Sequence, residues 1–371
     1  MLGVALALLT LEAGSALALG VLQGRGLRFE PLHTSALTDA QRDGVRRLIA
    51  GENRYLEVSE ALGWTLRPGG ASGLYHASAS GRREPEPGPL GPGERRVLAF
   101  GDSYTHGDEV ADGESWPAVL SERPDVAVSN FGVPGYGPDQ AYLRWEAEGA
   151  GEGPATVVIA LLSVDLPRTL TRFHPYLNPE GALPMGKPRF TLDSGGLTLL
   201  PNPLPSLHAY SDLLADEAGG LARLGEGDEL FASRPHEGPL DALALGRLAR
   251  LAWWSAGDER ARLDALAVEI TLAIVTRWRA EAQERGQDLL VVGLPGPEDG
   301  SRAQAGEAPS LGALLERLAA RGVPTMEVEA AVRSVPEDRR FQPGGHYTAE
   351  VNRAVAAAID EGLKKTTGGA P

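Results

Sequence analysis

The stretch RRVLAFGDSYTHGDEV, Arg95 to Val110, begins with a short apolar run, Val97 to Phe100, that stops at Gly101 and is followed at once by an Asp and a Ser. An apolar run of that length bounded by glycine reads as a buried strand. The small hydroxyl of Ser103 then stands where the strand must turn, which is the position of a plain turn residue or of a nucleophile. Downstream, further short apolar runs recur at Val126 to Asn130, Thr156 to Leu162, Asp288 to Leu294 and Pro324 to Val328. Helical patterns lie between them: Asp139 to Glu148, Leu263 to Glu284 with Leu266, Ile270, Ile274 and Trp278 at core-facing spacing, and Leu311 to Ala320. A last helix, Ala349 to Leu363, follows Thr348 as N-cap. Strands alternating with helices predict a three-layer α/β sandwich around a central parallel five-stranded sheet. The domain is expected over residues 95–365, with an insertion at 168–245 too long for an ordinary loop and a disordered tail at 366–371.

Ahead of it, residues 23–94 mix polar stretches with RPGGASG and EPEPGPLGPGE and read as a linker with local structure. Residues 1–22 are different. Leu2 to Leu22 carries one charge, Glu12, and as a helix its 21 residues would span about 31 Å, close to a bilayer's hydrocarbon thickness. Three readings compete: a membrane anchor, a signal segment cut after Ala16 to Ala18, or a buried helix. Arg25, Arg28, Arg42, Arg46 and Arg47 follow the run and no Lys or Arg precedes it. By the positive-inside rule alone, that leaves the domain in the cytoplasm.

The chain of 371 residues has 35 basic and 50 acidic side chains, a net charge of -15, and no cysteine. Scattered acidity without a basic face argues against nucleic acid. A cysteine-free chain has no disulfide framework and no thiolate metal cage. His33, His76, His174, His208 and His236 have no close ligand spacing and no HExxH occurs, so neither metal nor cofactor is expected. In GVPGYG the glycines run G-x-x-G-x-G, the wrong order for a dinucleotide fingerprint, and a G-x-S-x-G elbow is absent.

Ligands of an open parallel sheet sit at the carboxyl ends of its strands. There the sequence puts Gly101-Asp102-Ser103, Gly132 to Gly137, Ser163-Val164-Asp165 and Pro295, with His346 just before the last helix. A hydroxyl, a row of glycines and an imidazole are the parts of a serine hydrolase. FGDSYTHG resembles the first block of the SGNH hydrolases, the GDSL-type esterases; NFGVPGYGPDQA resembles their second and GGHYTAEVNRAVA their fifth. The segments LGW.LRP, GDSYTHGDEV....SWP and KPRF.L..GGL.L.PNP look like a bacterial membrane-anchored set within that superfamily. The resemblance implies Ser103 as nucleophile, His346 as base, and the N–H groups of Ser103 and Gly135 as oxyanion donors. Asp102 reads as a turn brace. The implied activity is an acyl hydrolase or acyltransferase acting on a small ester, such as O-acetyl, of a saccharide or lipid outside the cytoplasm; the alternative is an inactive binding or assembly component of an envelope polysaccharide system.

Two positions depart from the resemblance. Val164 stands where the third block has a donor asparagine, and Gly344 and Pro343 stand where the fifth has an acid partner for the histidine. Asp338, Glu337 or Asp165 are the candidate replacements, or a backbone carbonyl in a Ser–His dyad. His106 reads as a polar residue of the helix after Ser103, Lys187 and Arg189 as a snorkelling pair or an anion or sugar contact, and Trp253 and Trp254 as core or interface.

Overall fold

The computed structural model describes residues 2–24, 29–179, 183–297, 299 and 310–367. Five parallel strands form its central sheet: β1 (Arg95–Phe100), β2 (Val126–Asn130), β3 (Thr156–Leu161), β4 (Asp288–Gly293) and β5 (Thr325–Glu327). Their spatial order is β5-β4-β3-β1-β2, with Val97 opposite Thr156 and Thr156 opposite Asp288. The chain order reverses between β1 and β3, which opens a crevice at the carboxyl ends of these neighbours.

Alternation along the strands splits the apolar residues between two cores. Leu98, Phe100, Val157, Ile159, Leu289 and Val291 face one; Val97, Ala99, Val126, Val128, Val158, Ala160, Leu290 and Val292 face the other. A sheet buried on both faces needs continuous apolar strands, and these supply them. Nine helices carry labels here: α1 (Leu2–Gly24), α2 (Ser103–His106), α3 (Trp116–Leu120), α4 (Pro138–Arg144), α5 (Ala244–Ala256), α6 (Glu259–Glu284), α7 (Ser310–Ala319), α8 (Glu329–Arg333) and α9 (Ala349–Thr367). α6 covers the first face with Ile270, Ile274 and Trp278 fully buried, while Leu266 is only partly so. On the second face α9 buries Val351, Val355 and Ile359, one turn apart. This is the three-layer sandwich.

Residues 29–94 differ from the expected linker. They form a helix, Asp39–Ile49, and a hairpin, Leu56–Ser59 with Gly63–Leu66, whose Val45, Tyr55, Leu62, Trp64 and Leu66 join the first core. Trp64 is fully buried and its indole N–H donates to Pro134 O at 2.9 Å. The segment is therefore a wall of the domain. The insertion is likewise built in: a hairpin, Arg189–Asp193 with Gly196–Leu200, and three short helices bring Phe190, Tyr210, Leu213, Leu221 and Leu230 into the same core. Lys187 and Arg189 do not snorkel. Both are buried; Lys187 pairs with Asp139, and Arg189 donates to Gly227 O at 2.8 Å. The expected tail begins inside α9, and residues 368–371 lie outside the described residues.

Candidate active site

β1 is followed by a glycine for a steric reason. A Cβ on Gly101 would lie 2.3 Å from Thr105 Oγ1 and 2.7 Å from Ala160 O. Asp102 then caps α2 by accepting the Tyr104 N–H at 2.9 Å, which sets Ser103 as the first residue of that short helix, above the carboxyl end of β1.

His346 arrives from the opposite end of the domain. A turn closed by Gln342 N–H to His346 O at 2.7 Å and Gly345 N–H to Gln342 O at 2.9 Å presents the ring, and the Tyr104 hydroxyl donates to Gly345 O at 2.6 Å. The ring of Tyr104 lies 5.1 Å from the imidazole. His346 Nε2 is 2.9 Å from Ser103 Oγ, and His346 Nδ1 is 2.8 Å from Glu109 Oε2. The three side chains are bonded in series.

The carboxylate at His346 Nδ1 is thus Glu109, Asp108 lies 4.0 Å from Nε2, and the three candidate acids lie elsewhere. Asp338 and Glu337 are exposed in a 3-10 turn, and Asp165 accepts from Leu162 N–H at 2.8 Å and pairs with Arg168 at 2.6 Å. Nor is a backbone carbonyl needed at Nδ1. Glu109 also accepts the Gly344 N–H at 2.8 Å and the His346 N–H at 3.2 Å. A Cβ on residue 344 would sit 2.6 Å from Glu109 Oε2, so the glycine that replaces the expected acid makes room for this one. Partial burial pushes the Glu109 carboxyl up, but the imidazole and the two amides outweigh it and hold it below the usual range. A charged Glu109 only accepts, so Nδ1 carries the proton and Nε2 is left with a lone pair toward Ser103. Glu109 lies six residues past Ser103 and takes a positive φ of 64°. Its sequence signal is the acidic pair Asp108-Glu109 after Gly107, which no spacing along the chain links to His346.

Behind Ser103 lies a buried ionic cluster. One guanidinium nitrogen of Arg168 bonds Asp102 Oδ2 at 3.1 Å, Asp165 Oδ1 at 2.6 Å and Tyr136 O at 2.7 Å. Ser103 Oγ is 3.4 Å from that same Asp102 oxygen. Arg168 thereby ties together the loops after β1, β2 and β3, including the turn that carries Gly135. Burial, then the neighbouring Asp102, pushes the Asp165 carboxyl well above the usual range, with Arg168 opposing. Val164 is 40% exposed and offers no donor. It lines, with Arg168, Ser163, His174, Asn178 and Arg260, a cleft of about 500 Å³.

His106 is a core residue. Its Nδ1–H donates to Asp108 Oδ1 at 2.5 Å, and its Nε2 accepts the Tyr55 hydroxyl at 2.5 Å, in full burial that lowers its pKa. Among the described residues no group of three or more His, Asp or Glu side chains has metal-binding geometry.

No family model matches the chain, and no curated protein matches it either. Similar solved structures include TesA, at 15% identity over 73% of this chain and 99% of that one, with a TM-score of 0.39. A member of the lipolytic protein G-D-S-L family from Veillonella parvula is 11% identical over 72% of this chain and 97% of that one, with a TM-score of 0.36. An acetyl xylan esterase, Est2A, from Butyrivibrio proteoclasticus is 12% identical over 77% and 67% of the two chains, with a TM-score of 0.34. Each is a distant likeness. The chemistry of this site rests on its own distances.

Proposed function

We propose that the chain is a serine acyl hydrolase or acyltransferase of SGNH type that acts on a small ester, such as an O-acetyl group of a saccharide or lipid. The observation that carries the reading is the series Glu109–His346–Ser103, with contacts of 2.8 and 2.9 Å. A serine hydroxyl is a weak nucleophile until a positioned imidazole takes its proton, and a carboxylate at the far nitrogen keeps that imidazole in the receptive tautomer.

Ser103 Oγ attacks the ester carbonyl carbon as its proton passes to His346 Nε2. The electron pair of the C=O bond moves to oxygen, and the N–H groups of Ser103 and Gly135 stabilise that oxyanion. Collapse expels the alcohol, which takes the proton from His346 and leaves Ser103 acylated. Water then attacks the acyl carbon as its proton passes to His346 Nε2, and collapse breaks the bond to Ser103 Oγ, which takes the proton back and releases a carboxylic acid; a second alcohol in place of water gives transfer. Glu109 compensates the imidazolium charge in both halves.

An envelope location outside the cytoplasm, with α1 as anchor, accompanies this reading. The anchor part of it is supported by the 22-residue helical stretch Gly3–Gly24, of mean hydropathy 1.9, mostly exposed and with Glu12 as its one charge. A C-terminal topology reporter that reads cytoplasmic overturns it.

A non-catalytic binding role is the second reading, and Val164 is the observation that favours it, since loss of one oxyanion donor removes roughly 10²- to 10³-fold in rate. Labelling of the full chain by a fluorophosphonate probe separates the two. The enzyme reading expects labelling that is abolished in Ser103→Ala and strongly slowed in His346→Ala; a folded parent that does not label overturns it.

A further inference from the structure

The described residues include sixteen large apolar side chains that stand exposed, and eleven of them lie on two pieces of chain: seven on α1, and Leu240, Leu243, Leu245 and Trp253 on or just before α5. A water-facing protein scatters such residues singly, and a contiguous patch marks an interface. On α5 the outward residues include Leu245, Ala249, Ala252, Trp253 and Ala256, spaced as one face of a helix, with Trp253 69% exposed. Its buried side, Ala244 and Leu251, turns inward. The stripe is inverted for a helix in water.

α5 is joined to α1 by the one charge in the apolar run. The Glu12 carboxylate accepts the N–H of Ala244 at 2.5 Å and of Leu245 at 3.0 Å, and Ser15, one turn on, is buried. Each partner resolves the other's difficulty. A lone carboxylate inside an apolar helix is expensive in lipid, and the first amides of a helix have no partner within it. α1 and α5 pack against each other, each with apolar side chains exposed on its outside, and the exposed Arg247 lies near Glu12.

We propose that α5, with the turn Pro239–Ala242 before it, is a second membrane element: it lies against α1 with the Leu245–Ala249–Trp253 stripe facing lipid acyl chains, so that the domain stands on the bilayer in one orientation. Lipid is favoured over a protein partner because the stripe belongs to a helix packed against α1, whose own exposed side chains are apolar over a length that would span a bilayer. The inference rests on the reading of α1 as a membrane segment.

The chain has no cysteine, so single-cysteine variants give unique reporters. The full chain, as Leu8→Cys, Ala249→Cys, Trp253→Cys or the exposed domain position Ser211→Cys, is labelled with bimane. Each variant is placed in phosphatidylcholine nanodiscs with plain or acyl-brominated lipid. The expected result is at least about twofold quenching by bromine at residues 8, 249 and 253 and none at 211, since bromine quenches on contact. Quenching at 8 without quenching at 249 and 253 overturns the inference and leaves the anchor standing. No quenching at 8, or loss of the N-terminal segment by mass, overturns both. Unquenched 253 that instead crosslinks to a second copy assigns the stripe to a protein interface and overturns it too.

Discussion

Glu109 Oε2 lies 2.8 Å from His346 Nδ1 and only 2.6 Å from where a Cβ on residue 344 would be. The carboxylate and the missing side chain occupy one space. A glycine two residues before the histidine, which in sequence looks like the loss of an acid, is the condition for an acid from another loop to enter.

Glu109→Gln should keep the shape of the site and lose the charge. Gln can donate to Nδ1 and so hold the wrong tautomer. Acylation is expected to slow on the order of 10²- to 10⁴-fold, read as the rate of fluorophosphonate labelling or of p-nitrophenyl acetate turnover. A rate within about threefold of the parent would show that Glu109 does not serve the imidazole.

Gly344→Ala should act on the same contact from the other side. Its methyl displaces the carboxylate, so its loss of rate should approach that of Glu109→Ala. The double variant should then be little worse than either single one, because both remove one interaction. Additive losses would mean that Gly344 acts elsewhere.

Arg168 is the only cation bonded to both Asp102 and Asp165 among the described residues, and all three are largely or fully buried. Removing one member of such a cluster strands the other charges. Arg168→Met is expected to destabilise by about 3–5 kcal/mol in urea unfolding, with Asp165→Asn recovering part of it. Full stability in the single variant would refute the cluster's structural role.

Acid should separate the Glu109 and Asp165 carboxyls by sign. Glu109 titrates below its ordinary 4.5, so the unfolded chain takes up its proton first; its contribution is full above 4.5 and is lost as pH falls through the depressed value. Asp165 titrates above its ordinary 3.8, so its contribution runs the other way and stability is lost as pH rises toward the raised value. Glu109→Gln should therefore flatten the acid limb of a stability–pH curve and Asp165→Asn should steepen it. The check is urea midpoints from pH 3 to 7; like changes in both variants would contradict this assignment.

What was legible without coordinates was local or nearly so. All five strands lie within about two residues of their apolar runs, because a sheet covered on both faces writes itself as short continuous apolar stretches. Ser103 and His346 were readable as ends of elements, one after a strand and one before a helix, positions that the pattern marks directly. Burial was less so. Trp64, in a segment rich in turns, becomes core only because Pro134, some 70 residues on, offers its carbonyl to the indole. Lys187 is buried because Asp139 meets it inside the insertion's core. The identity of the acid was decided in tertiary structure alone. Glu109 and His346 are 237 residues apart, and a carboxylate's partner depends on which loops converge at the carboxyl ends of the sheet, which no spacing along the chain encodes. The sequence by itself determined the sheet, the turn that carries Ser103 and the imidazole of His346; the fold decided what holds that imidazole, because hydrogen bonds are made by proximity in space and the chain records only order.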